Sequence, residues 1–256
     1  MINSKNALTM RCYNNYAMKI IKSLTVLLFL IGTVAAHAQT ADEIINKYFE
    51  KTGGKEAWTK LQATKTTASV NQGGMDIPVT IYNSNQGKQA IVVDFQGQSF
   101  TQLAFDGETL WTTNLMTMQP EKSKQEMSDN MKLNANDFPS PLLDYKNKGY
   151  EAEYVGKDTI EGKETFKVKL TQEPVMVNGT ETPSSSFFYF DTKTYYPVAI
   201  ETMQVGQSMK VNMGNYKEVE GLYFPFALKQ GGQPIEVKEI VVNPQINDSI
   251  YAFPGK

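Results

Sequence analysis

From residue 62 onward the chain alternates apolar and polar positions in short runs. Turn signals such as "NQGG", "NSNQGK", "FQGQ" and "FDGE" break these runs about every eight to twelve residues. "QAIVVDF" sets Ile91, Val93 and Phe95 on one face, "SFTQLAF" does the same for Leu103 and Phe105, and "TLWTT" presents Trp111. Further on, "YYPVAIETMQ" carries Val198 and Ile200, and "SMKVNMGNYKEV" carries Met209, Val211 and Met213. A period of two with one polar face predicts antiparallel strands packed on one side. With about four strands before residue 114 and seven after 149, the count reaches about eleven, too many for an ordinary flat sheet. The pattern therefore predicts a mainly β fold, a single curved antiparallel sheet forming an unclosed barrel.

Two segments depart from this texture. "TADEIINKYFEKTGG" (residues 40–54) has helical spacing, with Ile44, Ile45, Tyr48 and Phe49 in one stripe. Thr40 and Glu43 have capping-box spacing, and Gly53-Gly54 can end the helix in a left-handed conformation. The stretch from about 114 to 149 is methionine-rich and Pro-broken, and it is read as a helical lid insertion between strands. Met127 and Met131 lie one helical turn apart, followed by Leu142 and Leu143, while Met116 and Met118 lie near its start.

The N-terminus narrows the chemistry. Lys19 and Lys22, the apolar run "SLTVLLFLIGTV" and "AHA" at 36–38 read as a secretory signal peptide over residues 1–38, with Met18 an alternative start. The apolar run is too short for a spanning helix. The mature chain then begins at Gln39 as a single domain, 39–256. His37, Cys12 and Arg11 are the only residues of their types and all lie upstream of the cut. What remains has 21 lysines and 27 acids. Without His or Cys there is no ordinary zinc site and no imidazole-based nucleophile. Without Arg, and net negative, the chain is a poor nucleic-acid binder. No metal, cofactor or catalytic residue is expected, and pairs such as Glu151/Glu153 and Glu218/Glu220 read as solvated charge. The inward apolar faces and the nine mature methionines point instead to a cavity that adapts to apolar partners.

The order of elements resembles a known family. A signal peptide leads into a helix ending in "TGGKEAW". Then come "FDGETLW", "FPSPLLDYKNKGYEAEYVGKDTIEGKETFKVKL", "FFYFD", "YKEVEGLYFPFAL" and "VNPQINDSIYAFP". Over about residues 41–254 this is similar to the outer-membrane lipoprotein-sorting family, the LolA/LolB-like periplasmic carriers. The resemblance implies an unclosed barrel of about eleven strands around a hydrophobic cavity, covered by helices, that holds acyl chains of lipoproteins or related lipids. It also implies transient membrane-protein donors or acceptors. Studied carriers latch the lid with an arginine near the cavity, and the mature chain has none. The reading is a soluble, monomeric periplasmic carrier without catalysis. The alternative is a sensor of the same fold that signals to a protein partner. Expected cavity and lid residues are Ile91, Val93, Phe95, Leu103, Phe105, Trp111, Met116, Met118, Met127, Met131, Leu142, Leu143, Val198, Ile200, Met209, Val211 and Met213.

Overall fold

The computed structural model describes residues 39–134, 137–204 and 207–254. The signal segment read from the sequence lies outside the described residues. Among those described, no helix is long and apolar enough to cross a membrane.

Two short helices come first, α1 (Ala41–Lys51) and α2 (Lys55–Thr59). The capping box is present: the Glu43 amide donates to Thr40 Oγ1 at 3.2 Å, and the Thr40 amide donates to Glu43 Oε2 at 3.0 Å. Six strands follow: β1 (Ala63–Gln72), β2 (Met75–Ser84), β3 (Gln89–Phe95), β4 (Gln98–Phe105), β5 (Leu110–Asn114) and β6 (Gln119–Lys122). After α3 (Gln125–Asn134) come β7 (Glu151–Ile160), β8 (Lys163–Val177), β9 (Thr180–Asp191), β10 (Pro197–Gln204), β11 (Gln207–Val219), β12 (Leu222–Gln230) and β13 (Gln233–Val242).

All thirteen strands join one antiparallel sheet in the order β6-β5-β4-β3-β2-β1-β13-β12-β11-β10-β9-β8-β7, so it is a meander on each side of a central β1–β13 ladder. Two-residue hairpins set much of the register. Gly73-Gly74, Gln96-Gly97, Glu161-Gly162, Asn178-Gly179, Glu220-Gly221 and Gly231-Gly232 all have φ > 0 at both positions. That is the type I′ turn, whose twist matches the strands it joins. The sheet is not closed, because β6 and β7 remain free edges.

The strand count exceeds the expected eleven by two, both before the insertion, and one of the two lies at the insertion's edge. Residues 114–119 form a hairpin turn and β6 is the four-residue "QPEK", too short and too Pro-interrupted to show alternation. The non-strand segment therefore begins at Ser123, not Asn114.

The two faces of the sheet are covered differently. On the concave face, Ile44, Ile45, Tyr48 and Phe49 of α1, Trp58 of α2, and Leu142, Leu143 and Tyr145 pack against Val79, Val93, Val168, Leu170, Phe188, Phe190, Phe224 and Val237. On the opposite face, the C-terminal segment lays Tyr251, Ile250 and Phe253 over Ala90, Ala104 and Trp111.

Candidate functional site

Alternation along the strands decides which residues share the concave wall. Val70 is paired with Ile77 on one side and Ile235 on the other, Ile235 with Leu228, and Leu228 with Met213. Beside this row runs a second: Val211 pairs with Ile200, Ile200 with Phe188, and Phe188 with Val168. Partners in an antiparallel ladder point to the same face, so these residues form an unbroken apolar belt. Phe188 and Val168 are buried, while the members from Ile77 round to Ile200 are half-buried. The helices do not fill this part of the trough.

Beneath it lies a cavity of about 280 Å³, walled by Tyr48 and Trp58, by Phe138–Leu142 of the segment after α3, and by Phe188, Pro197, Ile200, Met213, Tyr216, Tyr223, Phe224 and Pro225. No lining side chain is charged. Its polar groups are few and largely engaged. The Tyr216 hydroxyl donates to Pro197 O at 2.7 Å, and Trp58 Nε1 donates to Thr52 O at 3.1 Å. Tyr48 bonds Ser140, and burial raises its phenol well above the usual range. A space lined by neutral aromatic and aliphatic groups suits a neutral apolar chain. A smaller space of about 180 Å³ opens beside Met131 and Phe138, next to Lys88 and Gln89.

The segment over this cavity is fastened without arginine. At one end Asp42 of α1 accepts from the Tyr145 hydroxyl and from Lys146 Nζ, both at 2.6 Å. The Lys146 bond first, then that of Tyr145, holds the Asp42 carboxyl below its ordinary value. At the other end Asp137 and Lys148 lie 3.8 Å apart with side chains only 15% and 17% exposed. Asp137 Oδ2 also accepts from Gln172 Nε2 at 2.8 Å. Burial outweighs these contacts and raises the Asp137 carboxyl, and burial likewise lowers the Lys148 ammonium.

α3 links the two half-sheets, bonding β5 on one side and the end of β8 on the other. Ser128 Oγ accepts from the Leu110 amide of β5 at 3.0 Å. On the far side the Met176 amide donates to Asn130 Oδ1 at 2.9 Å, and Asn130 Nδ2 donates to Met176 O at 2.7 Å. Glu126 accepts from the Asn178 and Gly179 amides at 2.9 and 2.7 Å. One helix thus bridges β5 of one half-sheet to the β8–β9 hairpin of the other.

The structure distributes the residues named from the sequence among several places. Ile200, Met213 and Leu142 line the cavity. Leu142 and Leu143 are almost fully buried in the main core, with Val93 and, at its edge, Ile91. Leu103 pairs with Ile91, and Phe105 is fully buried. Val211 pairs with Ile200 on the apolar belt, and Met209 is exposed at its end. Phe95, Met116, Met118 and Met127 are exposed, the first three at hairpin turns and Met127 on α3, while Met131 is half-buried beside the smaller space.

Two residues face the other way. Trp111 sits on the convex side, where its Nε1 donates to Tyr251 O at 3.0 Å and its ring meets Phe253 edge-on. Val198 packs with Ile160 and Tyr189 on the convex side, because a bulge between Pro197 and Ala199 reverses its direction. The cavity walls that sequence reasoning missed are chiefly aromatic: Trp58, Tyr216, Tyr223 and Phe224. Their signal is the run of Tyr and Phe in "YKEVEGLYFPF" beside an aromatic helix stripe.

No protein-family model matches the chain, and no curated protein matches it. Similar solved structures do exist. A LolA superfamily protein from Nitrosomonas europaea is 12% identical, with 84% of this chain and 98% of that one covered and a TM-score of 0.48. A DUF1329 family protein from Desulfovibrio piger is 11% identical, covering 83% and 97%, also at 0.48. A domain provisionally named an outer membrane lipoprotein-sorting protein, from Vibrio parahaemolyticus, is 12% identical, covering 82% and 94%, at 0.49.

Proposed function

We propose that this protein is a non-catalytic periplasmic carrier that holds the acyl chain of a lipid or lipoprotein against its concave wall. The single observation that carries the reading is the unbroken, half-buried apolar belt from Ile77 to Ile200, continuous through Met213 and Ile200 with an uncharged cavity. A monomeric soluble protein rarely leaves a contiguous concave apolar surface without a use for it. Methionine and leucine along the belt accept chains of varied shape at little cost. In this reading the segment over the cavity, clasped by Asp42 and Asp137, yields when cargo passes to a membrane-bound donor or acceptor.

The test is displacement of a fluorescent fatty acid from protein stripped of bound lipid, run beside native mass spectrometry of protein taken from its own periplasm. Ile200→Trp and Met213→Trp fill the cavity without adding charge, so they should abolish displacement while thermal unfolding stays near the wild-type temperature. Wild-type protein that binds no acyl probe, or filled variants that bind as well as wild type, would overturn the reading.

A further inference from the structure

The two ends of the sheet differ sharply in charge. Antiparallel alternation about the β1–β13 ladder puts the β1–β2, β3–β4, β5–β6 and β12–β13 turns at one end. These turns, residues 72–75, 95–98, 114–119 and 230–233, contain no charged residue. The β8–β9 turn is drawn aside by α3, which ties it to Leu110 at the start of β5. Every turn at the opposite end is charged: Lys88, Asp106 with Glu108, Glu161, Lys193 and Glu220. One fifth of the chain is Asp, Glu, Lys or Arg, so such segregation is a directed feature.

The uncharged end is also where large apolar side chains stand in solvent. Met75 is 57% exposed, Leu115 62% and Met116 96%, with Phe95 and Met118 also exposed. They occupy three adjacent hairpin turns, and Met75 and Phe95 lie on the same faces of their strands as the buried Val79 and Val93. Two of these tips therefore continue the concave apolar wall to the edge of the molecule. The turns beneath are tight I′ hairpins at Gly73-Gly74 and Gln96-Gly97, which hold Met75 and Phe95 at fixed positions.

We propose that this end docks on the neutral interface of a phospholipid bilayer, with Met75, Phe95, Leu115, Met116 and Met118 inserted among the headgroups. Charge selects that occupant. An interface of zwitterionic headgroups over hydrocarbon penalises buried charge and rewards apolar tips. Attraction to anionic lipid needs clustered lysine, and the charges flanking the Met75 and Phe95 turns are the acids Asp76 and Asp94. Those two are tied sideways, Asp76 accepting from Asn71 and Asp94 from Ser99, away from a role as free headgroup contacts. The five apolar groups are spread over three turns with polar Gln, Asn and Thr among them, a spacing suited to insertion between headgroups. The opposite, charged end then faces water, and the apolar wall opens toward the membrane. This docking does not require that the cavity hold an acyl chain.

Flotation with phosphatidylcholine vesicles tests it. Full-length mature protein should float with pure phosphatidylcholine vesicles, and added salt should not release it. The double variant Leu115→Asp/Met116→Asp and, separately, Met75→Asp should each weaken partitioning by roughly tenfold or more. Val155→Asp, an exposed apolar position on β7 away from the tips, should change nothing. Both tips lie in exposed turns, so thermal unfolding should match wild type, and either tip alone suffices if the other misfolds. Three results would overturn the proposal: no flotation with phosphatidylcholine, flotation only with phosphatidylglycerol vesicles and lost in salt, or tip variants that float like wild type. Fatty-acid displacement run on the same variants reads the cavity separately, so failure of one proposal does not look like failure of the other.

Discussion

Gly53 shows how little room the joint between helix and sheet allows. Its φ of +119° is one that only glycine adopts easily, and a Cβ there would stand 2.3 Å from Gly221 O. Gly53→Ala should cost roughly 3 kcal/mol in chemical denaturation, from strain and clash together, whereas Gly54→Ala, whose added methyl would meet only the Glu56 side chain at an ordinary 3.6 Å, should cost less. Asp137 gives a second residue-scale test. A carboxyl raised by burial binds its proton more tightly folded than unfolded, so its contribution is greatest below the unfolded value of 3.8. That contribution declines as pH rises through the raised value. The carboxyls lowered by partners, Asp42 among them, slope the other way, so the subtraction matters. The unfolding free energy of wild type minus that of Asp137→Asn should fall as pH rises from about 4; a difference that rises would show the Lys148 pairing to be dominant. The two tryptophans make a third. Trp58 borders the cavity and Trp111 lies under the C-terminal segment, so bound acyl probe should alter the emission of Trp111→Phe but not that of Trp58→Phe.

At the scale of elements, α3 ties β5 of one half-sheet to the β8–β9 hairpin of the other through a few side chains. Ser128 is nearly fully buried and is the acceptor for the Leu110 amide. Ser128→Ala should leave that donor unsatisfied, costing about 1–3 kcal/mol. Amide exchange should then quicken at Leu110 and Met176 before it does in β1 or β13. Local rules explain what could be read in advance. The capping box and Gly-Gly stop are contiguous in sequence, and the hairpin turns announce themselves through Gln-Gly, Asn-Gly and Gly-Gly. The concave sense of Ile91, Ile200 and Met213 follows from alternation. What alternation cannot give is any reversal of it: the bulge that turns Val198 outward has no mark in "YYPVAI". Trp111 is a similar case, because the carbonyl that binds its indole belongs to a residue 140 positions away. β6 escaped notice for a third reason, being four residues long and in contact with one neighbour alone. The aromatic cavity wall was hidden because helix stripe and strand faces are brought together only by tertiary packing.

On the scale of the whole molecule, the chain builds two consecutive half-sheets, β1–β6 and β7–β13. They are joined covalently only through the α3 segment and meet in the β1–β13 ladder. Two fragments divided between residues 134 and 137 should therefore find each other and restore the wild-type circular dichroism spectrum, while a division inside the β8–β9 hairpin should not. That central ladder has a mechanical meaning as well. Thr64 stands opposite Val242 at the end of the ladder where β1 begins and β13 finishes, and Asn243 Oδ1 accepts from the Gln62 and Ala63 amides just beyond it. A load applied between residues 62 and 243 meets these bonds one after another, like a zip opened from its free end, instead of shearing all of them at once. Single-molecule pulling from those two positions should part the halves at low force. Pulling between the strand ends at Val70 and Val242 should load the ladder along its length and require markedly more.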